Sequence, residues 1–210
     1  MSNDFEMIGL FPCPVYITRR KLDLDLTEKK EIEDIIKGKM REVGDLDRYT
    51  DNRYIFDTKL KNLKEFCEQH IKTYVEQVIT PTEELDFYIT QSWLNVTKPG
   101  EFHHEHSHQN AIISGVFYIS TEENDKITFL DPNHKLKELI LVESKEYNSF
   151  NSPTWFFPVK NNELVLFPTW LSHQVTLNEE STADRISLAF NVFARGNLGN
   201  QINTNELVIK

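Results

Sequence analysis

The stretch Gly100–Ser120, GEFHHEHSHQNAIISGVFYIS, decides the fold and points to the chemistry. Four of the seven histidines, His103, His104, His106 and His108, fall between the turn Pro99-Gly100 and the strongly apolar strand AIISGVFYIS. The internal position rules out a tag. If residues 104–108 are extended, side chains alternate faces with a period of two, so His104, His106 and His108 point one way while His103 and Glu105 point the other. An H-x-H pair on one face can donate two imidazole nitrogens to a single metal ion at about 2.0–2.2 Å.

Working outward, the chain after Pro81 is a series of short β-rich runs. Strands are expected around Phe87–Val96, Ala111–Ser120, Lys126–Leu130, Leu139–Glu143, Glu163–Phe167, His173–Thr176 and Arg185–Phe193. Pro99-Gly100, Asp131-Pro132-Asn133, Asn161-Asn162 and the segment Asn178 to Asp184 break them with good turn chemistry. Many short strands at such spacing indicate a sandwich, barrel or jelly roll. Before Pro81 the pattern is helical. From Thr27 as N-cap, Ile32, Ile35, Ile36, Met40 and Val43 follow helical spacing. A second helix is expected from Asp57 or Thr58, with Leu60, Leu63, Phe66, Cys67, Ile71, Tyr74, Val75 and Val78 as its stripe and Pro81 as its stop. His70 reads there as a surface or capping histidine. The organisation expected is one domain over 1–210: a segment 1–82 with two packing helices, a jelly-roll core 83–195 and a C-terminal tail 196–210.

Composition bounds the function. The 210 residues suffice for one substantial core, hydrophobic residues make up 39% and charged residues 27%, and the formal charge is −10. That charge argues against broad adhesion to nucleic acid, whose phosphates need Lys and Arg. No apolar run approaches the roughly 20 residues that span a bilayer. The N-terminus has no basic region followed by a long apolar stretch, so no signal peptide is expected, and the cytoplasm is the default. Two cysteines, Cys13 and Cys67, suggest neither a stapled scaffold nor a cysteine zinc site.

A third ligand has a natural candidate in His173, within FPTWLSHQV. Three histidines with an open position suit zinc that activates water or iron that leaves room for a cosubstrate and dioxygen. Downstream, Arg185 opens the run RISLAFNVF. An arginine in an apolar strand is costly unless paired, and its planar fork grips a carboxylate with two parallel hydrogen bonds. Ser187 shares its face. After a distal histidine this reads as a carboxylate clamp, against the plainer reading that Arg185 pairs with an acid such as Asp184.

This pattern resembles the Fe(II)/2-oxoglutarate-dependent oxygenases, which carry H-x-D, a distal His and then Arg-x-Ser. It is closest to a 2OG-Fe(II) oxygenase subgroup with H-x-H, similar in SWLNVTKPGEFHHEHSHQNAIISGVFYI, FLDPN, VLFPTWLSHQV, RISLAFN and the N-terminal LFPCPVYI. The resemblance covers most of Gly9 to Phe193. It implies a double-stranded β-helix (jelly roll, cupin-like), mainly β with N-terminal helices. It implies Fe(II) held by His106 and His173, and 2-oxoglutarate held at its distal carboxylate by Arg185 and Ser187, with Asn95 and Tyr118 orienting it. His108 stands where the superfamily has aspartate. The subgroup pattern favours His106, His108 and His173 as ligands; His103, Glu105 and His173, or a carboxylate from Asp131, are the alternatives. A three-His set lacks the carboxylate's negative charge, so a nearby acid such as Glu105 would have to compensate.

The implied activity is oxidative decarboxylation of 2-oxoglutarate coupled to hydroxylation of a small-molecule or protein substrate by molecular oxygen. Trp93, His104 and Trp170 are candidates for lining the substrate space, and specificity is expected in loops such as Ser144–Thr154. Two other readings stay open: a three-His dioxygenase that uses no 2-oxoglutarate, and a non-catalytic jelly roll that binds a metal or a carboxylated ligand.

Overall fold

The computed structural model describes residues 6–42, 48–134 and 142–210. Two antiparallel sheets form its β core. The larger runs, in spatial order, through β1 (Tyr16–Arg19), β9 (Glu163–Pro168), β6 (Ile113–Ser120), β11 (Arg185–Leu198), β4 (Asp86–Thr97), β3 (Arg48–Thr50) and β2 (Met40–Glu42), with β12 (Leu207–Ile209) on the end of β11. The smaller runs through β5 (His103–His106), β10 (His173–Val175), β7 (Lys126–Leu130) and β8 (Thr154–Pro158). Three helices, α1 (Leu26–Ile36), α2 (Ile55–Thr58) and α3 (Lys61–Tyr74), accompany the larger sheet, and α3 continues as a π-helical turn, Val75–Ile79.

Both faces of the larger sheet are buried, so its central strands are nearly continuous apolar runs. On β11, Ile186, Leu188, Phe190 and Val192 pack toward the helices, beside Leu63, Cys67 and Ile71 of α3. The alternate residues Arg185, Ser187, Ala189 and Asn191 line the cavity between the sheets. A second cluster, Tyr118, Ile127, Phe129, Val165, Phe167 and Leu171, seals one end of that inter-sheet space. Each fully buried large apolar side chain contributes roughly 1.5–3 kcal/mol. Close approach sets one residue by shape: Gly115 sits opposite Phe190, and a Cβ there would lie 2.1 Å from the phenyl ring.

The structure moves several sequence-derived boundaries. α1 is capped by Asp25, not Thr27: its carboxylate accepts from the Glu28 N–H, and the Glu28 carboxylate accepts from the Asp25 N–H. The helix stops at Ile36 and Met40 lies in β2, so Met40 belongs to a hairpin rather than to the helical stripe. The expected second helix is two, because Leu60 adopts a left-handed conformation between α2 and α3. Val78 is exposed, off the buried stripe. The N-terminal segment also supplies β1, β2 and β3, and the expected tail supplies β12. Within the expected strand Leu139–Glu143, residues 139–141 lie outside the described residues, as does Val43; Val142 and Glu143 are not in a strand. Cys67 is a buried free thiol. Among the described residues no helix is long and apolar enough to cross a membrane.

Candidate metal centre and its cavity

His103, His106 and His173 come from the smaller sheet, and His108 lies just past β5, where its N–H donates to the Thr169 carbonyl at 3.1 Å. His106 pairs with His173 across β5 and β10, but Val175 pairs with His103, so His104 and Glu105 of β5 together oppose the single Gln174 of β10. This bulge breaks the period of two. His103 therefore lines the cavity together with His106, His108 and His173, while His104 is turned to solvent; the expectation that His104 shares their face is corrected.

The candidate ligand atoms of His106, His108 and His173 all lie within 4.8 Å of one another, the single such group among the described residues. Nitrogens bound to one ion at about 2.1 Å can be no more than about 4.2 Å apart, so small side-chain rotations close the set. Backbone partners fix the rings. His106 Nδ1 meets the His104 carbonyl at 2.9 Å, and His173 Nδ1 meets the Leu171 carbonyl at 3.3 Å. His108 Nδ1 meets the Asn191 side-chain oxygen, and the Ser114 hydroxyl approaches both at 3.1 and 3.4 Å. Each acceptor calls for a proton on Nδ1, which leaves Nε2 with its lone pair free for a metal. Burial pushes the His106 pKa down to about 4 and also lowers those of His108 and His173, with the neighbouring imidazoles adding to the effect. The three rings are thus neutral at pH 7, the state that ligates. Glu105 is exposed, and neither it nor Asp131 joins the group. Asp131 instead builds a turn, accepting from the Asn133 N–H through its side chain and from the His134 N–H through its carbonyl.

The opposite wall belongs to the larger sheet. Ser187 of β11 pairs with Asn95 of β4 on one side and Tyr118 of β6 on the other, so the three form a row across the sheet. Arg185 opens the same β11 face. It is 6% exposed, and among the described residues its guanidinium makes one hydrogen bond, a long 3.3 Å contact to the Lys126 carbonyl, and no ion pair, with Asp184 included. Its guanidinium lies 5.2 Å from the centre of the Tyr118 ring. Among the described residues the fully buried Tyr118 hydroxyl has no hydrogen-bond partner within 3.5 Å, and burial raises its pKa while the Arg185 guanidinium pulls it the other way. A buried cation without a carboxylate and a buried hydroxyl without a partner are what a carboxylate ligand would satisfy. Asn95 is partly engaged, accepting from the Trp93 indole N–H at 3.1 Å.

The cavity between these walls has a volume of about 350 Å³. Trp93 lines it, but the exposed Trp170 does not, nor does any residue of Ser144–Thr154. Sequence reasoning missed Asn191, which shares the 185, 187, 189, 191 alternation of β11 and could have been read from it. It also missed Tyr49 and Arg53, for which no local signal exists.

Residues 91–191 match the sequence family described as "Putative 2OG-Fe(II) oxygenase". The match covers 101 of the 210 residues, just under half of the chain. No curated protein matches it. Among solved structures, a Pseudomonas putida prolyl-4-hydroxylase is similar at 14% identity over 88% of this chain and 94% of the other, with a TM-score of 0.57. The carbocyclase SnoK from nogalamycin biosynthesis is similar at 13% identity over 88% and 81%, TM-score 0.58. HygX from Streptomyces hygroscopicus, solved with nickel, 2-oxoglutarate and hygromycin B, is similar at 10% identity over 86% and 82%, TM-score 0.56. At these identities the structural likeness speaks for the fold, and this chain shares their double-stranded β-helix.

Proposed function

We propose that His106, His108 and His173 hold Fe(II) through Nε2, and that Arg185, Ser187 and Tyr118 bind the distal carboxylate of 2-oxoglutarate. The observation that carries this reading is the unpaired Arg185 beside the partnerless Tyr118 hydroxyl, in the same cavity as the triad. Bound there, Fe(II) and 2-oxoglutarate supply the activation of dioxygen that couples decarboxylation to succinate with oxidation of a substrate C–H bond. The chain's own part is placement. Arg185 donates two N–H groups to the carboxylate, Ser187 and Tyr118 donate hydroxyls, and Asn95 steadies the edge of that subsite. Asn191 and the backbone carbonyls of His104 and Leu171 keep the triad rings in one tautomer. The wall of Val116, Tyr118 and Ile127 keeps the floor of the cavity dry.

The substrate is a small molecule or a protein side chain, and dioxygen is the co-reactant. The chain acts as one domain over 1–210, with 83–195 as its jelly roll, and the cytoplasm is its proposed compartment. Succinate release from 2-oxoglutarate, measured without added substrate, tests the assignment. Slow uncoupled release that disappears in Arg185→Gln is expected. Release independent of Arg185, or iron-dependent oxygen uptake without 2-oxoglutarate, would replace it with the cosubstrate-independent three-His reading.

A further inference from the structure

The cavity wall carries a second arginine that the metal and cosubstrate leave unused. Arg53 follows β3 in the segment Thr50–Tyr54, which is fastened to β4. The Ser92 N–H donates to the Arg53 carbonyl at 2.7 Å, and the Leu94 N–H donates to the Thr50 hydroxyl at 3.2 Å. The Thr50 hydroxyl donates to the Asn52 carbonyl at 2.9 Å, and the Asn52 side chain accepts from the Tyr54 N–H at 2.9 Å. A backbone held this way fixes where the side chain begins.

The Arg53 guanidinium lies over Tyr49, 3.8 Å from the ring centre, and 5.6 Å from the Trp93 ring. All three residues line the cavity. Stacking occupies the face of a guanidinium and leaves its in-plane N–H groups free to donate. Arg53 is half-buried and has no ion pair or side-chain hydrogen bond among the described residues. Carboxylates are not scarce, since the chain has 33 acids against 23 Lys and Arg. The nearby Asp51 is taken by Lys39 and Arg41. A cation held on two aromatic rings in a cavity, without an internal acid, is set up for an external anion.

Trp93 connects this cation to the metal site, its ring standing 5.9 Å from that of His108. A molecule lying along Trp93 would reach from Arg53 to the triad. We propose that Arg53 is the substrate clamp, and that the substrate is a small molecule bearing a carboxylate or phosphate, with a planar or apolar part along Trp93 and its reacting carbon at the triad. The proposal rests on the assignment of Arg185 and the triad to 2-oxoglutarate and Fe(II), which leaves Arg53 for a different anion. The cavity of about 350 Å³ must hold the cosubstrate as well, which restricts the reacting part of the substrate to a small group.

The test uses the full chain loaded with Zn(II), first titrated with 2-oxoglutarate and then with benzoate, phenyl phosphate or benzamide, by calorimetry and ligand-observed NMR. At least one acid should bind at least tenfold more tightly than benzamide. Arg53→Gln should remove that advantage while holding 2-oxoglutarate affinity within about twofold, and Arg53→Lys should keep part of it. Equal acid binding in wild type and Arg53→Gln would overturn the proposal. So would benzamide binding as tightly as the acids, or no acid binding to the wild type. Loss of 2-oxoglutarate affinity in Arg53→Gln would overturn it too, by placing Arg53 in the cosubstrate subsite. If the wild type fails to take 2-oxoglutarate at the first step, the cosubstrate assignment fails, and the acid–amide contrast on the Zn(II) protein still decides the role of Arg53.

Discussion

Replacing Arg185 by methionine should raise the stability of the ligand-free protein while abolishing its stabilisation by 2-oxoglutarate. In the free chain the guanidinium is 6% exposed and has no carboxylate partner among the described residues. The substitution loses one long hydrogen bond to the Lys126 carbonyl and one cation–π contact at 5.2 Å to Tyr118, together about 1–1.5 kcal/mol. It relieves the desolvation of a buried unpaired charge, which costs several kcal/mol, and methionine fills a similar volume. The net expectation is a gain of about 1–2 kcal/mol, or roughly 2–8 °C in Tm for a domain of this size. In the wild type, metal with 2-oxoglutarate at a hundredfold excess over Kd should add about 2.7 kcal/mol. Arg185→Met should lose that increment. Thermal melts of both proteins, with Zn(II) and with or without 2-oxoglutarate, read both signs in one experiment. A variant that is less stable alone and still stabilised by 2-oxoglutarate would show Arg185 to be a structural residue instead.

Asn191→Leu removes the acceptor that fixes the His108 tautomer, and metal affinity should fall about 10–100-fold in a competition titration with a chromogenic chelator, with little change in the urea midpoint. Gly115→Ala drives a methyl group into the Phe190 ring and should cost roughly 1–3 kcal/mol, or more, in urea unfolding. Glu122 accepts from the Ser181 and Thr182 hydroxyls and from the Thr182 and Ala183 N–H groups, which holds its pKa near 2, below the usual 4.5. A depressed carboxyl stabilises the folded state above its unfolded pKa and loses that contribution as pH falls through the folded one. The stability advantage of the wild type over Glu122→Gln should therefore be complete at pH 6–7 and fade between about pH 4.5 and 2. An advantage that persists at pH 2 would contradict the assignment.

How far the sequence reaches is clearest strand by strand. β6, β9 and β11 are legible because burial on both faces makes them mostly apolar runs, and β4 because buried and half-buried residues alternate along its second half. β1, β2, β3, β5, β8 and β12 are short or lie at edges, where pairing partners rather than local pattern create the strand. The histidine cluster and the Arg185–Ser187 pair stand out by residue type. The placement of His103 and His104 does not, because a bulge in β5 arises from pairing with β10 and leaves no mark in HHEH. Arg53 was invisible for a different reason: its meaning depends on Tyr49 and Trp93, which reach it only through the β3–β4 pairing and the tie from Ser92. The break at Leu60 is likewise tertiary, with its N–H taken by the Glu31 carboxylate at 2.7 Å.

Whether the triad and Arg185 together hold Fe(II) and 2-oxoglutarate is read by anaerobic titration of the apoprotein with Fe(II) and then 2-oxoglutarate, followed through the weak visible metal-to-ligand charge-transfer band. The band should appear only after both additions, vanish in His173→Ala, and require at least tenfold more 2-oxoglutarate in Arg185→Gln. Tight metal binding by the wild type with no band at saturating 2-oxoglutarate would mean that the cavity does not hold 2-oxoglutarate on the metal.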